Sequence, residues 1–134
     1  MKKNVRGYIF GKEFMGERAP QHIQNIVIRD FCTKNRLTYN LSLVEYVFKN
    51  STFMLMEGIK ELNNLYGIVM YSIFQLPESE SERKDIFNLV YKKKKRIFFA
   101  LENRILSNKQ DFDEINLIWL IKKELPNCYK FKKF

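Results

Sequence analysis

The sequence predicts an α/β domain: a single parallel sheet of about four strands flanked by helices in a three-layer arrangement. Three observations predict it. Short apolar runs alternate four times with amphipathic stretches of helical period along the 134 residues. Two of those runs, 66–72 and 96–101, are apolar through their centres, as strands buried on both faces of a parallel sheet are. The links are short, which suits right-handed crossovers.

Each element has its own local signal. Residues 5–10 form the first strand, and Pro20 opens its helix, which runs to Asn35 with Ile23, Ile26, Val27 and Phe31 on one face. Between them lies a loop with Gly11 and Gly16 and the charged Lys12, Glu13, Glu17 and Arg18. Residues 38–44 alternate polar and apolar, which predicts a more exposed second strand. Ser51 can cap a second helix to about Asn63 with Leu55, Ile59 and Leu62 inward. After the third strand, 66–72, Ser79 and Glu82 have capping-box spacing. The third helix then runs to Lys93 and buries Ile86, Leu89 and Val90. Residues 96–101 are the fourth strand, and Asp111 with Glu114 opens a last helix that stops before Pro126. The expected strand order is 2-1-3-4. This gives one domain over residues 1–126 and a basic-aromatic tail over 127–134.

Composition narrows the function classes. The net charge is +9, but it is concentrated: 92–96 carries five cations and Lys130, Lys132 and Lys133 three more. Taking those eight from the 24 basic residues leaves 16 against 15 acidic ones, so the body is nearly neutral. No recognition helix carries a basic stripe, and nucleic acid is not the expected partner. No apolar run approaches the roughly 20 residues of a membrane span, and the N-terminus lacks a signal-like apolar region. Two distant cysteines and one histidine make neither a disulfide framework nor a zinc site, so a cytoplasmic setting without metal or cofactor is expected. In the last helix, five consecutive apolar residues from Leu117 to Ile121 exceed what one buried face needs, which suggests a homodimer contact or cover from the tail aromatics.

In an open parallel sheet, ligands bind beyond the carboxyl ends of the strands. That places Arg18, beside the first helix N-terminus, as a phosphate or carboxylate anchor, with Gln21 and Ser72 converging on it. Glu45 and Glu102 each follow a strand and are candidates for an acid/base pair, with Ser72 a candidate hydroxyl nucleophile. Tyr8, Tyr46, Tyr71 and Gln75 complete the candidate ligand-binding set. The glycine loop is neither a Walker motif nor a G-x-G-x-x-G fingerprint.

The blocks GERAPQHIQNIVIRDFC and YSIFQLP, with LTYNLSLVEYVF and FFALENRIL, closely resemble the sporadic carbohydrate cluster protein family, from about Arg6 to Pro126. Members of that family are encoded in bacterial surface-polysaccharide (lipopolysaccharide) biosynthesis clusters. The resemblance implies a setting in glycan assembly and supplies no reaction; joined to the anion anchor at the strand ends, that setting makes a sugar phosphate or nucleotide sugar the expected ligand. Many members carry Ser-Arg where this chain has Gly11-Lys12. The layout is also similar to the serine recombinase catalytic domain, in the order Gln21, Gln24, Arg29, Asp30, Cys32. The recombination chemistry does not follow: the Gly11–Ala19 loop has no serine, and Ser72-Ile73-Phe74-Gln75 stands where recombinases place an Asp-Arg pair. A resolvase-like or flavodoxin-like arrangement is therefore the implied fold.

Overall fold

The computed structural model describes residues 2–13 and 19–131, with side chains as far as residue 125. Five strands form one sheet: β1 (Asn4–Phe10), β2 (Thr38–Glu45), β3 (Gly67–Met70), β4 (Arg96–Phe99) and β5 (Arg104–Leu106). Their order is β2-β1-β3-β4-β5. The first four are parallel, in the expected order, and β5 pairs antiparallel with β4. This three-residue edge strand escapes a reading by period because it is shorter than any repeat of alternation. The turn before it is closed by Asn103 at φ 53°, a left-handed position that asparagine tolerates.

Three helices connect the parallel strands, α1 (Gln21–Lys34), α2 (Phe53–Lys60) and α3 (Glu80–Lys92), and a fourth, α4 (Lys109–Phe131), follows β5. One layer of core joins α1 to the sheet through Val5, Ile9, Ile28, Phe31, Cys32 and Val69. The larger layer on the other face packs Leu55, Ile59, Ile86, Val90, Phe112, Ile115 and Trp119 against Tyr8, Ile68, Met70, Ile97 and Phe99. Every residue of β3 is buried, as its unbroken apolar run requires.

Several local expectations differ from the structure. On α1 the buried stripe is Gln24, Ile28, Phe31 and Cys32, while Ile23 and Ile26 face outward. The stripe is rotated because a glutamine, which a hydrophobicity count discards, occupies its first position. On α3, Arg83 and Phe87 are buried in place of Leu89. Arg83 reaches inward because its guanidinium lies 4.8 Å from the Trp119 ring and donates to the Pro77 and Glu78 carbonyls at 3.0 and 2.7 Å. Ser79 does accept from Glu82 N, as its spacing implies. Ser51 does not cap α2; that end is held by Glu45. Helix α4 continues past Pro126 to Phe131, so residues 127–131 extend the helix. An interior proline costs a helix about 3 kcal/mol but does not forbid it. Leu117, Leu120, Ile121 and Leu125 are more than half exposed on α4, and Trp119 is buried.

The β1–β2 register slips by one residue between Arg6 and Tyr8, so Leu41 and Ser42 together oppose Gly7. Gly7 is required there. A Cβ would strike Ser42 Oγ and lie 3.1 Å from the Tyr39 ring. Tyr39, Ser42 and Asn25 are instead free to form one hydrogen-bonded cluster.

Candidate functional site

The chain departs from β1 to one side and from β3 to the other, so the carboxyl ends of these neighbours mark a switch point in the sheet. A cleft of about 200 Å³ opens there. Lys12 and Glu13 border it from the β1 loop, Lys49, Asn50, Ser51 and Thr52 from the β2–α2 loop, and Gln75, Leu76, Pro77 and Glu78 from the segment after β3. Phe10, Phe74 and Trp119 supply apolar wall. Phe74 and Trp119 meet edge to face at 5.3 Å, and Trp119 Nε1 donates to the Ile73 carbonyl at 3.2 Å, which fixes that wall.

Two glutamines hold the cleft's shape. Gln24 is fully buried. Its Oε1 accepts from Phe10 N at 2.9 Å and from Gln75 Nε2 at 2.7 Å. Its Nε2 donates to the carbonyls of Phe10 and Ala19, each at 2.8 Å. Gln75 Oε1 accepts from Tyr71 N at 3.1 Å. The carboxyl ends of β1 and β3 and the start of α1 are thereby joined through two side chains, with all four amide atoms in use. Position 24 lies one turn from Ile28 and two from Phe31, so a polar residue heading an apolar stripe was the signal for it.

Glu45 is buried at the end of β2 and accepts five hydrogen bonds. Tyr8 Oη (2.8 Å) and Leu55 N (3.2 Å) reach Oε1; Ser51 Oγ (2.9 Å), Tyr46 N (3.0 Å) and Met54 N (3.2 Å) reach Oε2. The carboxylate therefore caps the first turn of α2. Burial alone would raise its pKa, but the bonds from Tyr8, Met54, Ser51 and Leu55 outweigh it and hold the group below the ordinary carboxylate value. Burial, reinforced by the Glu45 charge and hydrogen bond, pushes the Tyr8 hydroxyl far up, so it remains a donor. Lys12 Nζ ties the same loop by donating to the Phe48 and Ser51 carbonyls at 3.1 Å each. Burial lowers its pKa and the Glu45 charge opposes that.

Ser72 and Glu102 do meet. Ser72 Oγ donates to Glu102 Oε2 at 2.7 Å and accepts from Phe74 N at 3.2 Å, and Glu102 Oε1 accepts from Ile73 N at 3.0 Å. Ser72 is buried, and its pair starts the 3-10 turn at Ile73–Gln75. Glu45 and Glu102 thus serve separate loops, with no hydrogen bond between them. Gln21 is exposed beside Gly11, where an added Cβ would lie 2.8 Å from its Nε2. Tyr71 is half-buried and packs against the α1-side core. Tyr46 is half exposed and forms a ledge with Phe48 and Phe53, at 6.3 and 5.7 Å between centroids. Arg18 lies outside the described residues. Among the described residues, no group of three His, Cys, Asp or Glu side chains could hold a metal ion, and no helix is long and apolar enough to cross a membrane.

No family model and no curated protein matches the chain. Solved structures do. A resolvase family site-specific recombinase from Streptococcus pneumoniae superposes with a TM-score of 0.67 at 7% identity, covering 98% of this chain and 95% of that one. The N-terminal catalytic domain of TP901-1 integrase superposes with a TM-score of 0.56 at 15% identity, covering 98% and 100%. At these identities the likeness concerns the fold, which is a resolvase-like three-layer α/β domain.

Proposed function

We propose that the chain uses this resolvase-like scaffold to bind a phosphorylated or nucleotide-linked sugar in the cleft at the strand ends, as a component of bacterial surface-glycan biosynthesis. The observation that carries the reading is the composition of the cleft: two lysines, Lys12 and Lys49, and two carboxylates, Glu13 and Glu78, beside the fixed rings of Phe10, Phe74 and Trp119. Lysines suit the anionic part of such a ligand and aromatic faces its ring. The exposed ledge of Tyr46, Phe48 and Phe53 adjoins the cleft through residues 49–52 and offers a second stacking surface. The glycan setting comes from the resemblance of the sequence blocks, not from the fold.

Binding is favoured over acid/base catalysis. Glu45, Ser72 and Glu102 are each engaged in hydrogen bonds that hold a loop or a helix end. A non-catalytic partner of a glycan enzyme fits the same facts. The alternative of a degenerate recombinase-like nucleic-acid binder has the fold in its favour and the residues against it, since Ser72-Ile73-Phe74-Gln75 carries no Asp-Arg pair. The exposed Leu117, Leu120 and Ile121 support the homodimer contact through α4, which a strict monomer in sedimentation at high concentration would remove.

Titration calorimetry with a panel of nucleotide sugars and sugar phosphates is the direct test. Heat of binding that falls at least tenfold in affinity in a folded Lys49→Ala variant is the expected result. No heat from any member of the panel with folded protein would overturn the reading.

A further inference from the structure

In this parallel sheet every helix-to-strand link returns to the amino end of the strands, opposite the cleft. The basic residues gather there. Lys3 precedes β1 and its carbonyl accepts from Thr38 N at 2.9 Å, which sets Arg36 beside it; Tyr66 N donates to the Asn4 carbonyl at 2.7 Å. The basic run Lys92–Arg96 spans the α3–β4 link, from the last residue of α3 to the first of β4. The Tyr66 ring is the centre of the face, with the Arg96 guanidinium 3.7 Å and the Lys3 ammonium 5.1 Å from its centroid. Among the described residues, Lys2, Lys3, Arg36, Lys92, Lys94 and Lys95 have no carboxylate within ion-pair distance.

A second observation is independent of the charge count. Helices α1 and α3 both end with a residue in the left-handed conformation, Arg36 at φ 57° and Lys94 at φ 58°. The next amide reaches back in each case, from Leu37 N to Cys32 O at 2.8 Å and from Lys95 N to Val90 O at 3.1 Å. Glycine is the residue that this C-terminal geometry favours. Two cations stand there instead, at a conformational cost that the dipoles of exposed helix ends only partly offset.

We propose that this amino-end face docks on an anionic phospholipid membrane surface, leaving the cleft turned to solution. Long lysines at the surface are what diffuse attraction to charged headgroups needs. A nucleic acid is matched less well. The face presents helix C-termini, so no helix N-terminal N–H groups are there to fix a phosphate chain in one register, which diffuse attraction to headgroups does not need. The Tyr66 ring, which could stack on a base, is already covered by Arg96 and Lys3.

The test is partitioning of the full chain onto vesicles of phosphatidylcholine alone and of phosphatidylcholine with 30% (about one lipid in three) phosphatidylglycerol. The variant is Arg36→Gly/Lys92→Gln/Lys94→Gly, whose two glycines suit the backbone and should leave the melting temperature unchanged or higher. Binding to the anionic vesicles only, weakened by salt and reduced about 100-fold in the variant (about fivefold per cation), is the expected result. Equal binding to both vesicles, an unaffected variant, or displacement from the vesicles by a short DNA duplex or RNA strand at matched phosphate would overturn the proposal. Sugar-ligand calorimetry on the same variant reads the opposite end of the sheet, so the two ideas fail separately.

Discussion

Replacing Glu45 by glutamine isolates the buried carboxylate that starts α2. Five donors converge on its two oxygens. A glutamine turns one oxygen into a donor. The better orientation keeps oxygen towards Ser51, Tyr46 and Met54, where three bonds are made. The amide nitrogen then faces Tyr8 Oη, which can rotate and accept, and Leu55 N, which cannot. One orphaned buried N–H costs about 1–3 kcal/mol. The surviving bonds lose their charge assistance, roughly half of their strength each. The sum is a loss of about 3 kcal/mol, a large share of the roughly 5–15 kcal/mol that holds a domain folded. Urea denaturation at pH 7 should show it as a lower midpoint with an unchanged slope. The pH dependence provides an internal check. Because the folded pKa of Glu45 is depressed, its contribution is complete above the unfolded value of about 4.3 and fades as pH falls through it towards the folded value. The gap between Glu45→Gln and the parent protein should therefore narrow below about pH 4. A loss under about 1 kcal/mol at pH 7, or a gap that stays constant into acid, would refute the capping role.

Other substitutions probe the scaffold of the cleft and the sheet. Gln24→Leu should lower stability by about 2–4 kcal/mol in the same denaturation assay, because the Phe10 N–H and carbonyl lose their partners in a buried place. Gly67→Ala should be far more damaging than Gly11→Ala: the new Cβ meets the Arg96 backbone carbonyl at 2.6 Å in the first case and the mobile end of Gln21 in the second. Differential melting of the pair checks that contrast. Trp119→Phe should cost about 1–3 kcal/mol through the lost bond to the Ile73 carbonyl and the space left behind, seen by calorimetric unfolding. The Cys32 thiol, pushed up to about 11 by burial, should label with a thiol reagent only on unfolding in a Cys128→Ser background.

The parallel sheet and its order were readable from the sequence because burial on both faces leaves an unmistakable run, as in Ile68, Val69 and Met70. The helix stripes were less readable. Gln24 and Arg83 are polar by type but interior by position, and each is interior because its side chain finds hydrogen-bond partners, both backbone carbonyls and side-chain amides, on the segments packed around it. The same reason explains the candidate site. Glu45, Ser72, Glu102 and Gln75 were recognisable as polar residues at strand ends, which is where both ligand groups and loop-fixing groups occur. Residue type and spacing do not separate the two roles; the partners do. Lys49 and Trp119 come from a loop and a helix far apart in sequence, so their meeting in one cleft depends on tertiary packing alone.

The slip at Gly7 bears on how this protein behaves when crowded. Strand β2 is the long free edge of the sheet, eight residues with Leu41 at 79% exposure and Val44 also outward. Such an edge invites another chain to add a strand, the first step towards aggregates. The extra residue interrupts the row of outward donors and acceptors halfway along. The carbonyl of Leu41 is turned back to accept from Arg6 Nε at 2.7 Å, while Arg6 Nη1 holds Glu61 at 2.9 Å. An incoming strand would find two short, misaligned segments instead of one continuous template. A bulge that a single glycine makes possible thus blunts the one long edge of the sheet against strand addition.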